Sequence, residues 1–248
     1  MKIQLIRNAS LWLEYAGHNF LIDPMFSDQG ANPPMFNTAN DKRNPLVALP
    51  LPIETWVQPD AVLLSHLHPD HWDPAAVEAL DKTVTVLSQP GEGDAVRKDG
   101  FTNVTEMGES ISFGDVTIFR TSGHHGIGEI GKLMGQVSGY VFKAEGEPTL
   151  YIAGDTIWCD EVKQALDEHR PDMTIVNAGG AQFLQGGPII MNEDDVVSLC
   201  RYAPYTKAAA IHMEAINHCF TTRADLKERL HAEGLEDQVQ IPLDGEWF

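Results

Sequence analysis

Three histidines and two aspartates fall within eight positions of the stretch SHLHPDHWD, Ser65 to Asp73. His66 and His68 stand two apart and can turn toward one point, and Asp70 and His71 enter on the next turn. Imidazole nitrogens beside carboxylate oxygens suit Zn²⁺, Mn²⁺ or Fe, with Zn favoured by the excess of histidine. Burying so many such groups is costly unless metal or hydrogen bonds satisfy them.

The cluster follows an apolar run, Ala61-Val62-Leu63-Leu64, that reads as a buried strand, and three further apolar runs end in the same way. Thr117 to Arg120 leads into His124 and His125, Leu150 to Ala153 into Gly154-Asp155, and Ala208 to Ile211 into His212. The carboxyl ends of strands are the rim on which α/β sheets build their sites. Taken alone, His212 reads most simply as a solvated or hydrogen-bonded residue; the combination is what points to a shared site.

The elements that position these groups begin with a meander: strands at Lys2 to Arg7, Ser10 to Tyr15 and Asn19 to Ile22, with a turn at Ala16-Gly17. Residues 27–52 hold five prolines and no periodic pattern, and structureless segments of this length are usually functional or disordered. Met35 and Phe36 make this segment either a lid over a pocket or a plain surface excursion. Strands and helices then alternate. Asp73-Pro74 opens a helix through Leu80, as N-cap and first-turn proline. Strands are expected at Thr83 to Ser88, Ile111 to Arg120, Gln136 to Lys143, Thr149 to Ala153, Met173 to Asn177 and Ala208 to Ile211. Helices are expected at Asp160 to His169, after the cap Asn192, and after the cap Thr222, where Asp225 completes capping-box spacing. With no linker between them, residues 1–248 read as a single α/β domain.

Composition narrows the function. The 17 basic and 36 acidic side chains leave a formal charge of −19, which disfavours nucleic-acid phosphates and anionic membrane surfaces as partners. No run approaches the roughly 20 apolar residues of a membrane span. Three cysteines at unrelated spacings argue for reduced thiols, and MKIQLIRNASLWLEY has no signal-peptide pattern, so the expected location is cytoplasmic. The oligomeric state is left open, a homo-oligomer included.

SHLHPDH resembles the His-x-His-x-Asp-His signature of the metallo-β-lactamase superfamily, and the later His, the Asp in a Gly-Asp turn and the final His follow in that family's order. LIDP, the GDT turn and GGPIIMNEDD are similar to the branch of ascorbate-6-phosphate lactonase-like hydrolases. The resemblance implies a four-layered αββα sandwich with two mixed sheets and a two-metal centre at the sheet edge. It implies that His66, His68 and the third-motif His hold one metal, that Asp70, His71 and His212 hold the second, and that Asp155 bridges them. His125 is preferred over His124, because related members place a non-ligand before the His and a small or hydroxyl residue after it. Ser122-Gly123 departs from the Pro-Gly or Pro-Ala seen in other branches.

Two cations roughly 3.5 to 4 Å apart lower the pKa of a shared water until hydroxide exists at neutral pH, and they polarise the bond under attack. No serine or cysteine nucleophile is then needed, and Asp70 is the candidate to pass a proton to the leaving group. The expected activity is hydrolysis of an ester, lactone or phosphoester of a small molecule. The alternatives are a phosphodiesterase or nuclease of the same superfamily, and a non-catalytic metal-binding protein that keeps the fold.

Several signals are discounted. GIGEIGKL nearly reproduces two phosphate-binding patterns, but Leu133 stands where a P-loop has Ser or Thr, and no helix is signalled after it. It is expected to be flexible backbone beside the metal site, with Lys132 a candidate to meet an anionic substrate. Cys159 and Cys219 read as packed thiols, Trp72 and Trp158 as pocket walls or core residues, and His18, His169 and His231 as surface residues. His218 is expected to orient a ligand or cap an element.

Overall fold

A strand buried on both faces needs an apolar side chain at nearly every position. AVL at Ala61–Leu63, LYI at Leu150–Ile152 and MTIVN at Met173–Asn177 meet this need, and every residue in them is buried. The computed structural model describes residues 1–248. A six-stranded sheet runs in chain order through β1 (Lys2–Arg7), β2 (Ser10–Tyr15), β3 (His18–Ile22), β4 (Ala61–Leu63), β5 (Thr85–Ser88) and β6 (Asn103–Glu106). It changes from antiparallel to parallel at β3, where Ile22 pairs with Leu63.

The second sheet comprises β7 (Ser110–Phe113), β8 (Val116–Ser122), β9 (Ser138–Lys143), β10 (Leu150–Ile152), β11 (Met173–Asn177), β12 (Lys207–Ile211) and β13 (Val239–Gln240). Its spatial order is β13-β12-β11-β10-β9-β8-β7. The helices are α1 (Pro74–Ala79), α2 (Gly93–Lys98), α3 (Gly128–Met134), α4 (Asp160–His169), α5 (Glu193–Tyr202) and α6 (Arg223–Glu233).

Three apolar cores separate the layers. The central one joins Leu5, Leu13 and Phe20 of the first sheet to Phe142, Ile152 and Ile211 of the second. A second core lies under α4, α5 and α6, through Leu166, Leu199 and Leu230. A third, with Val62, Ala76 and Val96, lies under α1 and α2. The result is the four-layered αββα sandwich with two mixed sheets that the resemblance implied. No helix is long and apolar enough to cross a membrane.

The expected caps form. Asp73 Oδ1 accepts from Ala76 N at 2.8 Å while its Oδ2 accepts from Ser27 N at 2.7 Å, so the cap of α1 also fixes the start of the long loop. Asn192 and Thr222 each close a capping box, on α5 and α6. Two expectations are corrected. Ile111 to Arg120 is a hairpin, because Gly114 takes φ +55° and turns the chain between Phe113 and Val116. GIGEIGKL is largely helical: α3 covers Gly128–Met134, and Gly131 lies so near the Gly126 carbonyl that a Cβ would stand 2.6 Å from its oxygen.

Candidate metal centre

The four strand ends named from the sequence converge at one edge of the sandwich. After β4 the chain turns tightly: His71 N and Trp72 N both donate to His68 O, at 2.9 and 3.0 Å. That turn aims Asp70 and His71 back at the sheet edge. β10 delivers Asp155 through Gly154, where a Cβ would meet the Ser138 carbonyl oxygen at 2.6 Å and φ is +70°. β12 delivers His212, whose φ of +61° is unusual for a non-glycine residue and lies where strained functional residues cluster.

Three overlapping groups of side chains bring their ligand atoms within 4.8 Å of one another: His66, His68 and His125; His66, His71 and Asp155; Asp70, His71 and His212. Asp155 sits between them. Its Oδ2 lies 3.2 Å from His71 Nε2, 3.5 Å from His125 Nε2 and 3.9 Å from His66 Nε2, and its Oδ1 lies 3.7 Å from His212 Nε2. His212 Nε2 is 3.2 Å from Asp70 Oδ2. All seven expected residues are therefore together, and His125 is the member of its pair that joins them. His124 turns away, half-exposed, with Nε2 3.0 Å from Glu161 Oε1.

The surrounding hydrogen bonds decide which nitrogens face inward. Ser65 Oγ has one proton and gives it to Asp23 Oδ2 at 2.5 Å, so His66 Nδ1, 3.0 Å from Oγ, must be the donor in that contact. His66 Nε2 is then a bare lone pair, and it is buried without any hydrogen-bond partner. His125 Nδ1 donates to Ile189 O at 2.8 Å and His71 Nδ1 to Asp23 Oδ2 at 2.8 Å, which again leaves Nε2 for the site. Asn177 Nδ2 donates to Asp155 Oδ1 at 2.5 Å. This outer ring of fixed imidazoles is the arrangement that metal-binding histidines require.

Electrostatics agree. Burial, reinforced for His66 by the neighbouring His71, holds the His66 pKa far below that of a free imidazole, and burial lowers His68 and His125 as well. Burial also opposes charge on His71, but Asp155, Asp23 and Asp70 outweigh it and push the pKa up to about 10. His212 is likewise raised, burial being outweighed chiefly by Asp155. Burial works against the Asp70 and Asp155 carboxylates, yet the histidines, led by His71, hold both well below the usual range. Two buried carboxylates drawing protons onto two histidines, beside an unpartnered buried nitrogen, suit a site built for cations.

A cavity of about 610 Å³ opens onto the cluster, reaching His68, Asp70, His125, Asp155 and His212. The long loop contributes Asn32, Pro33, Met35 and Phe36 to its wall, which favours the lid reading over a surface excursion. Trp72 lines it as well, donating from Nε1 to Asp99 Oδ2 at 2.9 Å, whereas Trp158 packs edge-on against Tyr202. Lys132 is exposed and paired with Glu129, outside this cavity. Cys219 is not merely a packed thiol, since its Sγ lies 3.6 Å from His212 Nδ1.

Asp23 and Ser65, which hold the imidazoles, and Asn177, which holds Asp155, escaped notice in the sequence. The one signal was LIDP at the end of β3, which carried a family resemblance without revealing that its Asp reaches across to Ser65 and His71.

A family model described as a beta-lactamase superfamily domain matches residues 18–213. The UPF0173 protein YddR of Bacillus subtilis is 39% identical over 253 residues, covering 100% of this chain and 99% of its own. The crystal structure of an isothiocyanate hydrolase from Delia radicum gut bacteria is similar with a TM-score of 0.96 and 40% identity, covering 100% of this chain and 98% of that one. A possible metal-dependent hydrolase from Veillonella parvula superposes with a TM-score of 0.97 at 33% identity, over 100% of this chain and 98% of that one. The chain belongs to the beta-lactamase superfamily and is a metal-dependent hydrolase of the metallo-β-lactamase fold.

Proposed function

We propose that residues 1–248 act as one domain that hydrolyses an uncharged, largely apolar small molecule at an electrophilic carbon, in an isothiocyanate, ester or lactone. The observation that carries this reading is the cavity wall. Beside the His and Asp cluster it consists of methionine, proline, aromatic and aliphatic side chains with Asn32, Asn44 and His218, and it includes no lysine or arginine. Phosphorylated substrates and nucleic acids call for such cations, so the phosphoester, nuclease and phosphodiesterase readings are less favoured. The 40% identical isothiocyanate hydrolase adds that substrate class to the esters and lactones.

His66, His68 and His125 would hold one divalent ion and Asp70, His71 and His212 the other, with Asp155 between them and Zn favoured by the nitrogen-rich set. Such ions supply a water of lowered pKa and polarise the bond that breaks. The chain's own groups do the rest. Asp23 and Ser65 hold His71 and His66 in the tautomer that faces the site, and the apolar wall excludes bulk water. Asp70, which lines the cavity, carries a proton to the leaving atom. For R–N=C=S the balance is one water consumed, with R–NH₂ and carbonyl sulfide released.

The test is elemental analysis together with a panel of aryl isothiocyanates, esters, lactones and phosphodiesters, on wild type and His66→Ala. Turnover confined to uncharged members and lost with the metal in His66→Ala is expected. Two bound metals with no turnover of any member would instead favour a non-catalytic metal-binding protein.

A further inference from the structure

His218 takes no part in the cluster, yet it is buried and lines the same cavity. Its ring packs on Phe183, with centroids 5.7 Å apart and planes at 33°, and Phe183 stacks on Phe36 at 5.7 Å and 24°. Phe36 is 77% exposed, so three rings lead from solvent to the cavity interior. The backbone holds this wall in place, because Gln182 N donates to His218 O at 3.0 Å.

A buried polar group without a partner calls for an explanation, and His218 Nδ1 is such a group. An unpaired acceptor is tolerated better in the interior than an unpaired N–H, so the proton belongs on Nε2. Burial lowers the ring's pKa to about 4, which leaves a neutral imidazole with one N–H at physiological pH. Of the other neutral polar side chains on the wall, Asn44 is engaged by Asn217 through both its donor and its acceptor, and Asn32 lies half-buried. His218 is the deep donor left over.

We propose that His218 is a substrate-contacting residue that donates a hydrogen bond from Nε2 to the heteroatom of an uncharged substrate, whose apolar tail lies along Phe183 and Phe36. This rests on the reading of the cavity as the site for an uncharged electrophile. A single neutral donor on an apolar wall selects for molecules that carry an acceptor and no charge, and it fixes which end of the molecule faces the cluster.

The test uses two unreactive probes on the metal-loaded full chain: phenylacetamide, with a carbonyl acceptor on an aryl tail, and ethylbenzene, with the tail alone. On adding phenylacetamide to wild type, the His218 Nε2 nitrogen resonance is expected to shift. His218→Phe is expected to weaken phenylacetamide binding roughly tenfold, with ethylbenzene binding and metal content unchanged. His218→Gln, which keeps a donor, is expected to recover part of the loss and serves alone should the Phe variant not fold. An unmoved resonance, wild type that binds neither probe, or variants that bind both as wild type does would overturn the proposal. Wild type that shifts the resonance but turns over no panel member would sink the hydrolytic reading and leave the role of His218 standing.

Discussion

His71 and Asp23 stand 48 residues apart in the chain and meet at 2.8 Å, Nδ1 to Oδ2, inside the protein. The same carboxylate accepts from Ser65 N at 2.7 Å and Ser65 Oγ at 2.5 Å, so one side chain aligns the whole His66–His71 turn. Asp23 has φ +46°, a conformation asparagine also tolerates. Asp23→Asn is therefore expected to fold normally but to weaken metal binding by roughly 10- to 100-fold, the usual effect of losing a carboxylate behind a ligating imidazole. Competition with a chromophoric chelator measures it, and an unchanged affinity would refute the role.

His124 and His125 separate cleanly. His125 is buried with Nδ1 fixed on Ile189 O, whereas His124 is half-exposed beside Glu161. Replacing His125 by Ala is expected to lower the metal-to-protein ratio and abolish turnover. His124→Ala loses only an exposed ion pair, a change of roughly 0 to 1 kcal/mol in stability, and is expected to retain both. Elemental analysis of the two variants decides between them, and the reverse pattern would transfer the ligand role to His124.

What the chain revealed before folding was the set of strand ends that carry the cluster. Apolar runs ending in His or Asp are local patterns, and so are the caps at Asp73, Asn192 and Thr222, so both could be read directly. Contacts between distant residues could not, which is why Asp23 was visible only as part of the LIDP resemblance. Local patterns also misled where glycine dominates. In GIGEIGKL three glycines lower helix propensity, yet α3 forms, with Ile130 packed against the small core of Ala181 and Ile189. The hairpin at Gly114 was legible and passed over: Gly114-Asp115 is a two-residue turn signal, and the apolar positions change phase across it, from Ile111 and Phe113 to Val116 and Ile118. The cavity's lack of lysine and arginine depends on which loop residues fold inward, and no spacing rule reports that.

The shifted groups of the cluster are expected to make the metal-free protein most stable near neutral pH. The His71 pKa, raised to about 10, stabilises the folded state fully below the unfolded imidazole value of roughly 6.5, and this stability is lost as pH rises through about 10; His212 acts in the same direction. His66, His68 and His125 have lowered values, so their contribution is present above roughly 6.5 and is lost as pH falls. Asp70 and Asp155 steepen the loss below roughly pH 4. Melting temperatures of chelator-treated protein from pH 4 to 10 should therefore peak near neutrality. Zinc should lift the alkaline side, because ligation takes the place of the protons on His71 and His212. A melting temperature that climbs steadily from pH 7 to 10 without metal would contradict the charge arrangement.

Asn217 ties the long loop to the segment that follows His212. Its Oδ1 accepts from Met35 N and Asn44 Nδ2, both at 2.9 Å, its Nδ2 donates to Thr38 Oγ1 at 2.8 Å, and its own N–H donates to Asn44 Oδ1 at 2.8 Å. Asn217 is buried, so Asn217→Ala keeps the backbone bond to Asn44 Oδ1 but strands Met35 N, Asn44 Nδ2 and Thr38 Oγ1, at about 1–3 kcal/mol for each one left unsatisfied. None of them touches a metal-facing nitrogen. The expected result is a loop around 32–44 that exchanges its amide hydrogens faster and a raised KM, because Met35 and Phe36 no longer hold the wall, with metal content unchanged. If metal is lost together with substrate affinity, the loop supports the cluster itself, and its assignment as a wall of the substrate cavity fails.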